Sequence, residues 1–293
     1  MRKIIIGIPR TAYYYKEGVF WKHFFLKLGC KIIISSETNK QIIENGQNNL
    51  TSDNCFQNKL LFGHIKMLSK SCDYILIYSN CSYYNNCINY KILKNNLYNH
   101  LISSQILEYN NHKNKYLGII RIATKITKNP IRIIYSYIYA KKKQNNYNIN
   151  LENHEKNKLN KQNNKVLLIG NYNNIEDKNI SNTIIDRFIK NNVTPLFSNK
   201  LSKKEAIFFS NNYKNKINSI EIKRLLGSIY YYEYSIKGII YISNTNCKLD
   251  NYIFDAIKNE FKKIPIIDIK TNNDINKETK IELFIDTIKN NNK

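Results

Sequence analysis

With 9 glycines and 4 prolines among 293 residues, the sequence lacks the glycine-rich signatures and other short motifs of the common enzyme classes. It has no Gly-x-Gly-x-x-Gly, no Walker-type lysine loop, no Gly-x-Ser-x-Gly and no His-Glu-x-x-His.

No run of about eighteen apolar residues occurs, so no membrane-spanning helix is expected. Met1-Arg2-Lys3 leads directly into a strand pattern rather than the apolar region of a signal peptide, so we expect a cytoplasmic protein without membrane contact.

The chain also lacks a Cys-x-x-Cys pair, which removes the usual sequence support for a zinc ribbon or a thioredoxin-type redox site. A disulfide framework is not expected in a cytoplasmic protein of this size. Spacing alone leaves every free cysteine open to a simpler interpretation as a small, inert apolar residue. The six cysteines are Cys30, Cys55, Cys72, Cys81, Cys87 and Cys247.

Acidic residues are scarce as well. The 22 Asp and Glu residues are outnumbered by 46 Lys and Arg, which gives a formal charge of +24 and would ordinarily favour a polyanionic partner such as nucleic acid. The basic residues are scattered, however, and they accompany many Asn, Ile and Tyr residues, a composition typical of A/T-rich codon usage. We therefore interpret the charge as a solvated surface and do not expect a nucleic-acid partner.

The first third of the chain has the pattern of a strand, a helix and a second strand. Two isoleucine-rich runs, at residues 3–8 and 31–34, flank an amphipathic helix that is predicted over residues 19–28 and stops at Gly29. Short apolar runs suit strands that are buried on both faces, and an intervening helix makes two such strands parallel. The sequence therefore predicts an α/β fold.

Further elements extend this pattern. Thr38 is predicted to cap a second helix, and a third strand is expected at residues 73–78. The polar segment 79–90 follows the carboxyl end of that strand, where open parallel sheets bind ligands, so the two cysteines in this segment are expected to face a crevice. Residues 116–122 are predicted to form another apolar strand or a buried connector.

The second half of the chain repeats the plan of the first. We predict an N-terminal α/β lobe over residues 1–140, a polar linker or solvated helix over 141–164, and a C-terminal α/β lobe over 165–293. Two Rossmann-like lobes with mainly parallel sheets facing a central cleft are the simplest architecture, and Asp250 is expected to cap a helix in the second lobe. The strands predicted in the second lobe are 165–170, 193–197, 237–242 and 264–269.

Two sets of residues match the pattern of a known family. The first set, at the start of the chain, is Gly7-Ile8-Pro9-Arg10, Tyr13-Tyr14-Tyr15, Phe20-Trp21, Phe24-Phe25, Leu28-Gly29, Ser35-Ser36, Thr38-Asn39-Lys40, Asp53, Cys55, Lys59 and Gly63-His64. The second set, downstream, is Gly238-Ile239-Ile240, Cys247, Asp250, Asn251, Asp268, Thr271, Thr279-Lys280, Glu282, Phe284 and Asp286. Through these residues the sequence resembles proteins related to 2-hydroxyacyl-CoA dehydratases, among them the 2-hydroxyglutaryl-CoA dehydratase D-component, and more narrowly the CoA-protein-activase-related subfamily of anaerobic bacteria. The resemblance covers about two thirds of the chain and is densest at the start.

The resemblance implies a [4Fe–4S] cluster held by three cysteines, with one iron open to a substrate oxygen or another ligand. The positions that match the family's cysteines are Cys55, Cys87 and Cys247. It further implies a role in electron transfer to, or assembly of, a radical-type acyl-CoA dehydratase system, with an acyl-CoA or another anion as ligand and a dehydratase or activator protein as partner. A lyase component is one such role, whereas the missing phosphate loops argue against the ATP-hydrolysing activator.

Two other residues are candidates for ligand contacts. Arg10 follows the first strand and could bind a phosphate or carboxylate, or form a surface ion pair. His64 could donate to the cluster or to a substrate, or hydrogen-bond within its own helix. The family's glycines and prolines are replaced near the cysteines, for example by Lys248-Leu249, which leaves a second hypothesis: a non-catalytic two-lobed module that binds a small anion or a partner without a cluster.

Overall fold

The structure is a computed structural model that describes residues 2–79, 81, 87–100, 106–110, 115–213, 219–271 and 276–290. The chain divides into two compact units, Met1–Tyr147 and Asn148–Lys293, and each unit contains one four-stranded sheet. All strands of both sheets are parallel and helices flank them, which confirms the predicted α/β class with two Rossmann-like lobes. Within the predicted turn-rich segment 79–90, residues 80 and 82–86 lie outside the described residues.

The first unit has the strand order β2-β1-β3-β4. Ile6 pairs with Ile32 on one side and with Tyr74 on the other, so β1 is a central strand. Its elements are β1 (Ile5–Ile8), α1 (Ala12–Lys27), β2 (Lys31–Ile34), α2 (Lys40–Asn49), α3 (Phe56–Leu68), β3 (Tyr74–Tyr78), α4 (Ile88–His100), β4 (Ile106–Tyr109), α5 (Lys115–Thr124) and α6 (Pro130–Leu159), the last of which continues into the second unit.

Alternate residues of the first sheet pack into two different cores. On β3, Leu76 and Tyr78 join a cluster with Trp21 and Phe25 of α1, while Ile75 and Ile77 join a cluster with α3 and α4. Both faces of the sheet are therefore covered, as expected for parallel strands that read as nearly continuous apolar runs.

The second unit repeats this topology with the order β6-β5-β7-β8. Leu167, Ile239 and Tyr241 on one face of its sheet pack against α10 and α11, and Phe188 of α8 contacts Phe284 of α12 with ring centroids 6.4 Å apart. Its elements after α6 are β5 (Asn164–Gly170), α7 (Tyr172–Glu176), α8 (Lys178–Lys190), β6 (Val193–Phe197), α9 (Lys203–Phe209), α10 (Ile220–Tyr232), β7 (Gly238–Ser243), α11 (Lys248–Glu260), β8 (Ile266–Lys270) and α12 (Lys277–Asn290).

Three local predictions for the first unit differ from the structure. Residues 116–122 lie in helix α5 rather than in a strand, because Ile119 and Ile122 share one buried face. Asn39 rather than Thr38 caps α2, since its side chain accepts a hydrogen bond from the backbone N–H of Ile42 at 3.0 Å. Helix α1 begins at Ala12, well before the predicted residue 19.

Two glycines allow α2 and α3 to approach each other closely. A Cβ atom at Gly63 would lie 2.0 Å from the carbonyl oxygen of Ile42, and one at Gly46 would lie 1.9 Å from the carbonyl oxygen of Lys59. Both distances fall within the repulsive range of rigid backbone atoms, so only glycine fits at either position. This contact fixes α3, and with it the loop that carries Cys55.

We predict that Gly63→Ala lowers the free energy of unfolding by about 1–3 kcal/mol, because the new methyl group forces the two helix backbones apart. Urea denaturation of the full chain measures the loss. Gly18→Ala in α1 is the matched control, since the atoms nearest to its Cβ are ring carbons of the Tyr14 side chain rather than backbone atoms. Equal stability of the Gly63→Ala protein and the wild type would contradict the close approach.

Candidate functional site

The order of the strands creates a crevice at one edge of the first sheet. The chain leaves β1 toward β2 on one side and returns to form β3 on the other side of β1. The loops that follow β1 and β3 therefore diverge, and such a switch point is where open α/β sheets bind ligands. The residues after β1 are Pro9, Arg10 and Thr11, and β3 leads into the segment with Cys81 and Cys87.

A small pocket lies at this switch point, and its enclosed free space of about 20 Å³ holds about one water molecule. Its walls are formed by the ends of β1 and β3, by Leu61 of α3, and by the rings of Tyr13, Tyr14, Tyr78 and Tyr90. The lining is apolar and aromatic, as in sites for small organic ligands, but the enclosed space is far below the roughly 300–1,000 Å³ of such sites. A ligand would therefore lie mainly over the mouth of the pocket.

Tyr78 fixes the floor of this pocket. Its ring stacks on Tyr13 with centroids 3.4 Å apart and planes 7° apart, and its hydroxyl accepts from Nε1 of Trp21 at 2.5 Å and donates to Glu17 at 2.9 Å. Burial, reinforced by the Glu17 charge, raises the pKa of Tyr78 well above its ordinary value. The phenol is therefore a neutral structural group, which makes the pocket floor rigid and uncharged.

Cys87 lies beside the pocket and contacts a second thiol. It directly precedes α4, its sulfur is hydrogen-bonded to Cys81, and it accepts from the backbone N–H groups of Asn89 and Tyr90. The Cys81 hydrogen bond, helped by the two N–H donors, lowers the pKa of Cys87 to about 6 although burial opposes the shift. Cys87 is therefore largely a thiolate at neutral pH. The spacing of the cysteines did not predict the contact with Cys81.

Cys55 belongs to a neighbouring loop. It is 7% exposed and holds the N-cap position of α3, two residues after Asp53. The side-chain amide of Asn89 donates to the carbonyl oxygen of Asp53 at 3.3 Å, which connects this loop to the start of α4. The structure thus brings together the segments of Cys55 and Cys87, which are 32 positions apart in the sequence.

In the second unit, Cys247 occupies the N-cap position of α11, directly after the loop that leaves β7. Asp250 holds this loop, because its carboxylate accepts from the backbone N–H and side-chain amide of Asn244, each at 2.7 Å, and from the hydroxyl of Tyr241 at 2.8 Å. The expected helix-capping role of Asp250 is thus replaced by anchoring of the loop before the helix. Asp250 fixes the backbone that presents Cys247.

The remaining two cysteines lie in apolar cores. Cys30 is 5% exposed and Cys72 is 7% exposed. Burial raises the pKa of each thiol to about 11, so both stay protonated and unreactive at neutral pH.

Within the described residues, no group of three or more His, Cys, Asp or Glu side chains is arranged to hold a metal ion. None of the described helices is long and apolar enough to cross a membrane.

Comparison with known proteins agrees with part of the predicted resemblance. Residues 5–201 match the family model of the CoA enzyme activase uncharacterised domain (DUF2229). The chain belongs to this family. The match runs from the start of β1 to the residue after β6 and its short 3₁₀ turn, so it contains Cys55 and Cys87 but not Cys247. No curated protein matches the chain significantly.

Arg10 of this activase-related protein lies at the edge of the pocket and is already engaged. Its side chain donates to the carbonyl oxygen of Ser35 at 3.3 Å and to the Glu37 carboxylate at 3.4 Å, and it lies over the ring of Tyr14. The guanidinium is about a quarter exposed. It keeps a positive charge beside Tyr14, which lines the pocket, so a ligand anion would have to compete with Glu37.

His64 is fully buried between α3 and the loop after β2. Its Nε2 atom is 3.2 Å from the hydroxyl of Thr38, and its Nδ1 atom has no hydrogen-bond partner among the described residues. Burial, with a smaller contribution from the Arg10 charge, lowers the pKa of His64 to about 3. The imidazole is therefore neutral at every pH at which the protein is expected to work.

The burial of His64 makes the free energy of unfolding of this activase-related protein depend on pH. As the pH falls from about 6.5 toward 3, His64 takes up a proton in the unfolded chain but not in the folded protein, so the free energy of unfolding falls by about 1.4 kcal/mol per pH unit. Between pH 6.5 and 5 we expect the wild type to lose about 1.6 kcal/mol more than His64→Gln, as measured by urea denaturation, because the unfolded imidazole is already half protonated at pH 6.5. The exposed His154 provides the control His154→Gln. Identical pH slopes for wild type and His64→Gln would exclude a buried neutral imidazole.

Proposed function

We propose that this protein binds an iron–sulfur cluster and acts in electron transfer to, or assembly of, a radical-type acyl-CoA dehydratase system. The observation that supports this most directly is the thiolate of Cys87 at the carboxyl end of β3, linked through Asn89 to the loop of Cys55. Thiolates are the usual ligands of such clusters, and a ligand that is already deprotonated binds iron without an added cost of proton release.

The proposed ligands are Cys55, Cys87 and Cys247. Cys55 and Cys247 occupy the N-cap positions of 13-residue helices, and Cys87 directly precedes a third. The positive end of the helix dipole favours a negatively charged sulfur at each position. With three thiolates bound, a [4Fe–4S] cluster would leave one iron open and would supply a Lewis acid or an electron relay.

The mouth of the pocket is the proposed site of the acyl-CoA or other anionic ligand, because the enclosed space itself is too small for either. Its aromatic walls suit the apolar part of an acyl group, while Arg10 and the start of α4 provide positive potential at the edge. Tyr90 both lines the pocket and donates its backbone N–H to Cys87. A ligand in the pocket would therefore lie close to the proposed cluster.

Metal content tests the proposal. Protein that is purified and reconstituted without oxygen should be brown and contain about four iron and four sulfide ions per chain. Cys55→Ala, Cys87→Ala and Cys247→Ala should each lose most of this iron. Cys30→Ala, which removes a buried protonated thiol, is the control and should keep it. Colourless wild-type protein without iron, or iron that is retained in all three variants, would contradict the proposal.

A second candidate is a ligand-binding module without a cluster. It is favoured by one observation: the pocket lining contains no cysteine, so a ligand could bind there independently of the thiols. A gain in thermal stability on addition of acetyl-CoA that is equal in the wild type and in the three cysteine variants, together with absence of iron, would favour this candidate. Loss of that gain in the cysteine variants would favour the cluster.

A further inference from the structure

We propose that the outer face of helix α6 is a docking site for an acidic amphipathic helix of a partner protein. This outer face consists of Ile131, Ile134, Tyr135 and Ile138, which are 78%, 59%, 56% and 60% exposed. Their spacing of three and four residues places them side by side along two turns of the helix. Single exposed apolar residues are common on protein surfaces, but a contiguous apolar stripe marks an interaction surface.

The opposite side of α6 is already used by the first unit. Ile133 and Ala140 belong to the apolar cluster that α1 forms with the first sheet, and the side chain of Gln144 accepts from the backbone N–H of Phe20 at 2.9 Å. Over residues 130–140, the only charged side chain is an arginine. A helix that is apolar on all sides is normally buried on all sides, so the sequence of this segment fits a helix with a second covering surface.

The surroundings of the outer face are strongly basic. Residues 109–151 contain nine Lys or Arg residues and no Asp or Glu. In the part of this segment that the structure describes, only Lys115 forms an ion pair, with Glu17 at 3.6 Å. Arg132 and Lys141 are exposed on the same helix as the outer face. A partner that covers the isoleucines and also matches this charge must carry acidic side chains around an apolar stripe.

Lys27 of α1 adds to the positive charge and holds the aromatic part of the outer face in place. Its Nζ atom lies 5.6 Å from the ring centroid of Tyr135 and 4.4 Å from that of Tyr139, and the two rings stack with centroids 6.3 Å apart. These contacts restrain the ring of Tyr135 before any partner binds, so binding costs little further rotamer freedom. Tyrosine is among the residues that most often anchor protein interfaces.

The charge and the size of the outer face favour an acidic helix over the other occupants. A second copy of the chain would bring the same basic border, and like charges repel across an interface. A nucleic acid would bind the basic residues without covering the isoleucines. From Ile131 to Ile138 the face is about 10 Å long, which suits a single helix crossing, whereas helices that lie in a membrane surface often extend over about 20–30 residues.

The docking face and the proposed cluster are independent of each other. A protein that passes electrons to a dehydratase, or assembles one, needs a surface that binds its partner. That the natural occupant belongs to the acyl-CoA dehydratase system rests on the proposed function, whereas the chemistry of the occupant rests on α6 alone. The docking face is therefore tested without iron.

Fluorescence anisotropy with a labelled peptide tests the docking face of the full chain. The probe is a synthetic helix of about three heptads with leucine at the a and d positions and glutamate at the flanking positions, and a second helix carries lysine in place of every glutamate. We expect the acidic helix to bind at least about tenfold more tightly than the basic one. Its affinity should fall as the salt concentration rises from about 50 to 300 mM.

Two variants separate the outer face from the rest of the surface. Ile134→Gln combined with Ile138→Gln removes the apolar centre of the face but keeps good helix formers, and it should weaken binding of the acidic helix at least about tenfold with little change in melting temperature. Ile189→Gln is the control, because Ile189 is an equally exposed isoleucine, at 58%, on helix α8 of the second unit. It should bind the acidic helix as the wild type does.

Absence of binding by the acidic helix, equal binding of the acidic and the basic helix, or equal binding by the double variant and the wild type would overturn the proposal. Analytical ultracentrifugation and co-sedimentation with vesicles of phosphatidylcholine and phosphatidylglycerol test the other occupants. A wild-type dimer, or vesicle binding, that the double variant abolishes would assign the outer face to a second copy or to a membrane and would also overturn it. Failure to bind iron would contradict the proposed function and leave the docking result in place.

Discussion

Parallel pairing around a central first strand determines where this protein can place reactive groups. In each unit the chain runs from a central strand to one side and then returns on the other side, giving the orders β2-β1-β3-β4 and β6-β5-β7-β8. The carboxyl ends of all four strands of a sheet lie at the same edge of that sheet, and the loops that follow its two central strands diverge there. In the first unit the pocket and the thiol pair lie at this edge of the sheet, and in the second unit the Asp250-anchored loop lies at the carboxyl edge of that unit's own sheet.

Cysteines at the carboxyl edge of the first sheet and cysteines in its cores have different surroundings, and this explains why their thiols differ in reactivity. Burial raises the pKa values of Cys30 and Cys72 to about 11; the Arg132 charge only partly opposes this at Cys30, and the Asp73 charge adds to it at Cys72. Cys87 is also partly buried, but the contact with Cys81 and the N–H groups at the start of α4 outweigh burial and lower its pKa to about 6. Donors to the sulfur, rather than exposure alone, separate the reactive thiol from the inert ones.

The sequence predicted the fold wherever the apolar pattern was simple. Continuous apolar runs indicated β1, β5 and β7 because most residues of these strands are buried. The edge strand β2 gave the same signal through three isoleucines that are half-buried. Strand β4 was missed because its four residues include Glu108, which pairs with Lys94 and accepts from Tyr98 at 2.7 Å at the edge of the sheet. Helix α5 was predicted as a strand or connector because apolar residues occupy its exposed face as well, including Leu117 and Ile120.

The candidate site was only partly predictable. The position of Cys87 after a strand indicated a functional cysteine, but its contact with Cys81 depends on tertiary structure that spacing does not encode. The pairing of Thr38 with His64 likewise joins residues 26 positions apart, whereas the sequence indicated only a local cap. In the sequence Tyr78 is only an aromatic residue at the end of a strand, which does not indicate a structural role. That role depends on Tyr13, Glu17 and Trp21, which three successive turns of α1 place around its ring and hydroxyl.

The distinction between the reactive and the core thiols can be measured directly on the reduced full chain without metal. A limiting amount of iodoacetamide at neutral pH, followed by acid quenching and peptide mass spectrometry, gives the relative alkylation rate of each cysteine. We expect Cys87 to react first and Cys30 and Cys72 to react last. Alkylation of Cys30 or Cys72 as fast as Cys87 would contradict a reactive thiolate at the carboxyl edge of the first sheet.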